Sequence, residues 1–229
     1  MTTKDITLWD FHQDENREHL KDSYPRQDML FKKILRLMSK WGTILELGFW
    51  DGYLLNRLTK AWFDCIGQDI SEKNIELTKK QWGNNNVNYL LWKLDSKIIA
   101  LDQSVKAIIA SEVLEHMTDD ELHEITNEMY RALPKWWYCI LTFPARENLS
   151  ANSCSCPNCW EIFHKWGHKQ VWTEEKIRST FKQFSKINTS EFVSRTKWTD
   201  LKSIVLWCMK AIWSYLLWIN KSFLVILEK

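Results

Sequence analysis

The sequence predicts an α/β protein: a doubly wound, mostly parallel sheet of seven strands with helices on both faces. Three observations carry this. Short apolar runs alternate with helix-like stretches, the first run leads into a glycine-containing turn ahead of a helix, and 229 residues suffice for one sizeable core.

The leading stretch, residues 10–40, is charged, with apolar side chains at Met29, Leu30, Ile34, Leu35 and Leu37 in helical spacing. Thr43–Leu47 is a short apolar strand, followed by the turn and a helix through 53–58. Residues 63–69 read as a second strand ending on Asp69, and Ser71 caps a helix over 72–81 by accepting free backbone N–H groups. A third strand spans 87–91, a fourth 105–110, a helix 119–133 and a fifth strand 138–143. Past Pro144 a Cys/His-rich insertion interrupts the alternation, which resumes as a helix over 173–184 and a strand over 188–193. Residues 204–219 are apolar except for Lys210 and a few small polar groups. That stretch falls short of the roughly 20 residues a bilayer span needs, so no transmembrane span but a buried or surface-seated helix is expected, before a last strand at 222–227. The expected organisation is one domain over 1–229, with a helical cap (1–40), a core (41–145), the insertion (146–172) and C-terminal helices and strands (173–229).

Lys and Arg total 31 against 29 Asp and Glu, and a net charge of +2 gives no field that draws the chain to nucleic acid or anionic membrane. The first residues carry no apolar stretch behind a basic one, so a cytoplasmic protein is expected. Cys154, Cys156 and Cys159 cluster, which in a reducing compartment points to metal rather than disulfides. Cys65, Cys139 and Cys208 are scattered among apolar neighbours and are expected to be buried.

In an open α/β sheet, ligands bind beyond the carboxyl ends of the strands. Strand one delivers Glu46, Gly48, Trp50 and Gly52, strand two Asp69 and Ile70, strand three leads to Asp95, and strand four delivers Ser111, Glu112, Glu115 and His116. Glycines let backbone approach a ligand closely, and a carboxylate accepts two hydroxyl protons at once. This ordered set resembles the Rossmann-like class I S-adenosylmethionine-dependent methyltransferases, whose E/D-x-G-x-G-x-G loop is matched by Glu46, Gly48 and Gly52. The resemblance covers roughly residues 27–145 and the last strands. It implies S-adenosylmethionine as cofactor, with Asp69 on the ribose hydroxyls and Asp95 on the adenine amine. A dinucleotide-binding domain is the nearest rival, but no third glycine completes G-x-G-x-x-G.

The segment from Glu112 to His116 resembles the E-x-x-E-H run of ubiquinone-type O-methyltransferases, which implies a divalent cation on Glu112, Glu115 and His116 near an acceptor hydroxyl, or His116 as general base. The other reading is a structural turn. A small-molecule acceptor, amphiphilic in kind, is expected; the alternatives are an RNA-modifying methyltransferase, or an inactive zinc-stabilised binding module if Trp50 is genuine. In the insertion, a C-x-x-C knuckle precedes H-x-x-x-H, and the expected zinc ligands are Cys156, Cys159, His164 and His168, with Cys154 as substitute for either histidine. Unliganded loop cysteines are the alternative.

One number is abnormal: 15 tryptophans against 6 glycines, where ordinary usage gives roughly 16 glycines in this length. Trp50, Trp136 and Trp137 stand where the family pattern has glycine, and Trp62 and Trp160 where a strand-entry turn and a C-P-x-C-G knuckle commonly have it. The pattern predicts a gene in which UGA encodes glycine, rendered here as tryptophan. Sequencing of the codons is expected to show UGA at positions 50, 136 and 137, and UGG there contradicts the reading.

Overall fold

The computed structural model describes residues 17–38, 42–83, 87–92, 103–193 and 221–229, with positions 7, 10, 98, 208 and 209 besides. A 3-10 turn over Arg17–Ser23 leads into α1 (Tyr24–Leu37). Pro25 falls in the first turn, where a missing N–H costs nothing, and so marks the start of the helix later than the charge pattern suggested. Then follow β1 (Thr43–Leu47), α2 (Tyr53–Lys60), β2 (Asp64–Asp69), α3 (Glu72–Trp82), β3 (Val87–Leu91), β4 (Ala107–Ser111), α4 (Asp119–Ala132) and β5 (Tyr138–Pro144). The insertion forms a hairpin, β6 (Ser153–Ser155) and β7 (Ile162–His164), and the chain resumes with α5 (Glu174–Thr180), β8 (Lys186–Val193) and β9 (Lys221–Glu228).

The seven-stranded sheet has the order β3-β2-β1-β4-β5-β9-β8, with β1 to β5 parallel and β9 antiparallel between β5 and β8. Alternation in the central strands builds two cores. Leu45, Leu47, Ile108 and Ala110 face α4 and α5, while Ile44, Ala107 and Ile109 face α1, α2 and α3. Local signals agree: Ser71 Oγ accepts the Asn74 N–H at 3.0 Å, and Thr118 and Glu121 form a capping box at the start of α4. Strand order reverses between β1 and β4, so the crevice for a ligand opens there.

Several expectations are corrected. Strand four starts at Ala107 rather than 105, because the Val105 N–H is taken by the Ala132 carbonyl at the end of α4. Helix α5 ends at Thr180, where Phe181 leaves helical geometry with ψ near 21°. Cys65 and Cys139 are buried, and burial pushes both thiols up, but Cys208 is exposed. The 204–219 segment lies outside the described residues except for Cys208 and Met209. No helix among the described residues is long and apolar enough to cross a membrane.

Seven non-glycine residues among those described have positive φ, and four are tryptophan: Trp50 (53°), Trp62 (69°), Trp136 (72°) and Trp160 (59°). Trp62 shows why. The Trp62 N–H meets the Thr59 carbonyl at 3.0 Å and the Phe63 N–H meets the Leu58 carbonyl at 3.1 Å, the bond pair that ends a helix through a left-handed residue. That residue is ordinarily glycine, since a Cβ there crowds the following carbonyl. Trp62, Trp136 and Trp160 also expose 75%, 70% and 78% of their surface, so burial does not repay the strain. Trp137 differs: its φ is not positive, it is half-buried against both cores, and Lys106 Nζ sits 5.2 Å from its ring centroid.

The same substitution is therefore expected to have opposite signs at different sites. Trp62→Gly, Trp136→Gly and Trp160→Gly should each raise stability by about 1 kcal/mol. Trp172→Gly, at a fully buried indole stacked on Phe143, should cost about 3–5 kcal/mol. Urea melts of the four variants check this.

Candidate functional site

The loop from β1 to α2 turns through three left-handed residues in alternation, Gly48 (φ 62°), Trp50 (φ 53°) and Gly52 (φ 73°). The packing is close as well as left-handed. A Cβ on Gly48 would lie 2.7 Å from Val113 Cγ2, and one on Gly52 would lie 2.6 Å from Thr78 Cγ2. Gly52 is the N-cap of α2 and offers no side chain, so Gln27 of α1 caps from outside, its Oε1 accepting the Leu54 N–H at 3.1 Å.

Three carboxylates gather under this loop. Glu46 is buried with Oε2 unpartnered, and burial, followed by the charges of Asp51 and Asp69, pushes its carboxyl well above the ordinary value. Asp51 is fully buried and accepts the Tyr24 hydroxyl at 2.6 Å. Asp69, at the end of β2, accepts from the Ser71 N–H and from Asn74 Nδ2, each at 2.9 Å. Ile70 packs against the core beside it. Asp95 lies outside the described residues.

At the end of β4, Ser111 Oγ lies 3.0 Å from Thr142 Oγ1 and accepts Arg26 Nε at 3.1 Å. The Trp50 indole spans the crevice to this point, its Nε1 donating to the Ser111 carbonyl at 3.3 Å. The loop backbone and the acids fit the cofactor the sequence implies. The indole does not, since it fills the space between the ends of β1 and β4 where ligands of this fold bind.

Beyond Ser111, Glu112 has φ 57° and leaves Oε1 buried and unpartnered. A 3-10 turn, Leu114–His116, then buries Glu115 completely and His116 nearly so. Neither Glu115 carboxylate oxygen has a hydrogen-bond partner; burial, then the charge of Glu112, raises its carboxyl well above the ordinary value. Of the expected cation ligands, Glu115 and His116 come together, but the third member of that group is His168 rather than Glu112.

The insertion also rearranges expectation. Its ligand-type groups join His164 and His168 to Glu147, and among the described residues Cys156 and Cys159 enter no such group. The physical reason lies in the hairpin: His164 is buried at the end of β7 with Nδ1 accepting the N–H groups of Trp166 and His168, while the cysteines sit at the solvent-facing tip. The tip has a knuckle's local geometry, since the backbone N–H groups of Cys159 and Asn158 lower the Cys156 thiol. Glu147 was not anticipated, nor were Tyr24, Arg26 and Gln27; none of them is one of the periodic apolar positions or a named motif residue. Asp51 was not singled out either, although it stands inside the loop motif.

Residues 44–135 match the family model described as a methyltransferase domain. No curated protein matches the chain. Among solved structures, a Pyrococcus horikoshii protein is 18% identical with a TM-score of 0.66, the match covering 100% of this chain and 99% of that one. A SAM-dependent methyltransferase from Methanosarcina mazei is 15% identical at a TM-score of 0.61, covering 86% and 96%. Phosphoethanolamine N-methyltransferase 2 from Haemonchus contortus, in complex with phosphomonomethylethanolamine and S-adenosylhomocysteine, is 12% identical at 0.67, covering 100% of this chain and 61% of its own. At these identities the likeness speaks for the fold.

The raised Glu46 carboxyl has a measurable consequence. The folded chain keeps a proton that the unfolded chain releases, so this group's contribution is full at acid pH and declines as pH rises from the ordinary glutamate range toward the raised value. Glu46→Gln removes the decline. The melting temperature of the variant relative to the parent should increase as pH rises above the ordinary glutamate range, and a pH-independent difference would contradict the burial account.

Proposed function

Because the chain carries a class I, S-adenosylmethionine-dependent methyltransferase domain, we propose that it methylates a hydroxyl oxygen of a small, amphiphilic molecule in the cytoplasm. The observation that carries this reading is the buried Glu115 and His116 at the end of β4, on the same crevice edge as Ser111 and the cofactor loop. A buried carboxyl beside an imidazole can hold an acceptor hydroxyl while the imidazole takes its proton.

S-adenosylmethionine supplies a methyl group on a sulfonium, which an oxygen takes by in-line displacement, so the protein's work is mainly alignment. Gly48 and Gly52 would bring the loop backbone close to the cofactor and Asp69 would hold the ribose hydroxyls, with Glu46 buried beneath the loop. His116 receives the acceptor proton. Ile162, Phe163 and Trp166, exposed on the insertion, favour an acceptor with an apolar portion. The Haemonchus relative, with phosphomonomethylethanolamine bound, is an instance of this fold with a small-molecule ligand. Near-equal numbers of basic and acidic residues give no electrostatic footprint for RNA, and six free thiols suit a reducing compartment.

The test uses the Trp50→Gly protein with methyl-labelled cofactor, offered phenolic and long-chain hydroxy compounds in one arm and total RNA in another. Label should appear in the small hydroxy compounds, and His116→Ala should slow that transfer by about 10²–10⁴-fold. Label found only in RNA would overturn the reading.

A further inference from the structure

The insertion is fastened to the end of β4 by backbone. The Glu115 carbonyl accepts the N–H groups of Lys169 at 2.7 Å and Gln170 at 3.1 Å, and Gln170 Nε2 donates to the Met117 carbonyl at 2.7 Å. These bonds set His168 beside the Leu114–His116 turn, its ring centroid 4.7 Å from that of His116. One ring nitrogen from each histidine and one Glu115 oxygen all lie within 4.8 Å of one another.

The hydrogen bonds fix which nitrogen of His168 is available. Its Nδ1 lies 2.5 Å from Glu147 Oε2, and a carboxylate only accepts, so Nδ1 carries the proton and Nε2 keeps its lone pair. His164 works differently. Its Nδ1 accepts two backbone N–H groups, so the proton sits on Nε2, 3.4 Å from Glu147 Oε1. His164 thus has no lone pair to give and helps hold Glu147 in place, while Glu147 orients His168 as carboxylates orient metal-binding histidines. Glu115, fully buried with both oxygens unpartnered, supplies the carboxylate once a metal displaces its proton.

We propose that Glu115, His116 and His168 form a two-histidine, one-carboxylate site for a divalent transition metal, with Glu147 and His164 as positioning residues and the cysteine knuckle outside it. Three protein ligands leave coordination positions open, the arrangement of a site that acts on a bound molecule rather than a closed structural clip. The site ties the insertion to the catalytic end of the sheet. Its use in aligning an acceptor hydroxyl rests on the function proposed above, with the ion lowering the hydroxyl pKa in place of the base role of His116, whose lone pair it takes; metal binding itself does not rest on that function.

Cobalt(II) titration followed by visible absorption tests the site without any methyl transfer. The full chain carrying Cys154→Ser, Cys156→Ser and Cys159→Ser should still bind one cobalt per chain, with the spectrum of nitrogen and oxygen ligands. His168→Ala in that background should abolish the binding. Glu147→Gln, which leaves every ligand in place, should weaken it about 10–100-fold. Loss of all cobalt binding on removing the thiols, or binding unchanged by His168→Ala, would overturn the proposal. Either result leaves the methyltransferase reading standing, because cofactor binding and labelled transfer are measured separately.

Discussion

The turn between β1 and α2 has to reverse the chain within five residues, and it does so with left-handed backbone at every second position, 48, 50 and 52. On this constraint the rest of the site depends. It lets α2 start against the sheet, it stacks Glu46, Asp51 and Asp69 beneath one loop, and it leaves the crevice between β1 and β4 open at the carboxyl ends. Two of the three positions are glycine. The third is tryptophan, and its indole reaches the Ser111 carbonyl across the space the backbone leaves open. Backbone and side chain at residue 50 make contradictory demands, and glycine resolves both at once.

The second half of the site comes from a different part of the chain. β4 delivers Ser111 and the Glu112-to-His116 segment, and the insertion folds back so that Lys169 and Gln170 bind the Glu115 carbonyl. A carboxyl with no partner inside a folded domain is costly to ionise, and Glu115 is such a group at the point where two segments meet. Glu147, His164 and His168 form a connected network that reaches it through His168.

Much of this was legible in the sequence. Alternating apolar runs gave the seven strands, and Glu46, Gly48, Gly52, Asp69 and Glu115 were read as lying at or beyond the carboxyl ends of β1, β2 and β4, which is where the fold puts them. The tryptophan surplus was readable too, and backbone angles separate its members: Trp50, Trp62, Trp136 and Trp160 stand in left-handed turns, whereas Trp137 has ordinary backbone and packs on the core. Less was legible where side chains meet across long sequence separations. Glu147 reaches His168 over 21 residues and Tyr24 reaches Asp51 over 27, distances at which no periodicity signals contact. The cysteine and histidine spacing suggested one four-ligand set, yet the hairpin puts the thiols at its tip and the imidazoles at its base.

The central claim is that the fold binds S-adenosylmethionine and that residue 50 decides whether it can. Isothermal titration of the cofactor into the chain as written and into its Trp50→Gly variant tests this directly. Saturable binding by the variant, with little or none by the parent, is the expected result. Equal binding by both would show that the indole does not obstruct the crevice, and no binding by either would remove the cofactor loop from the account.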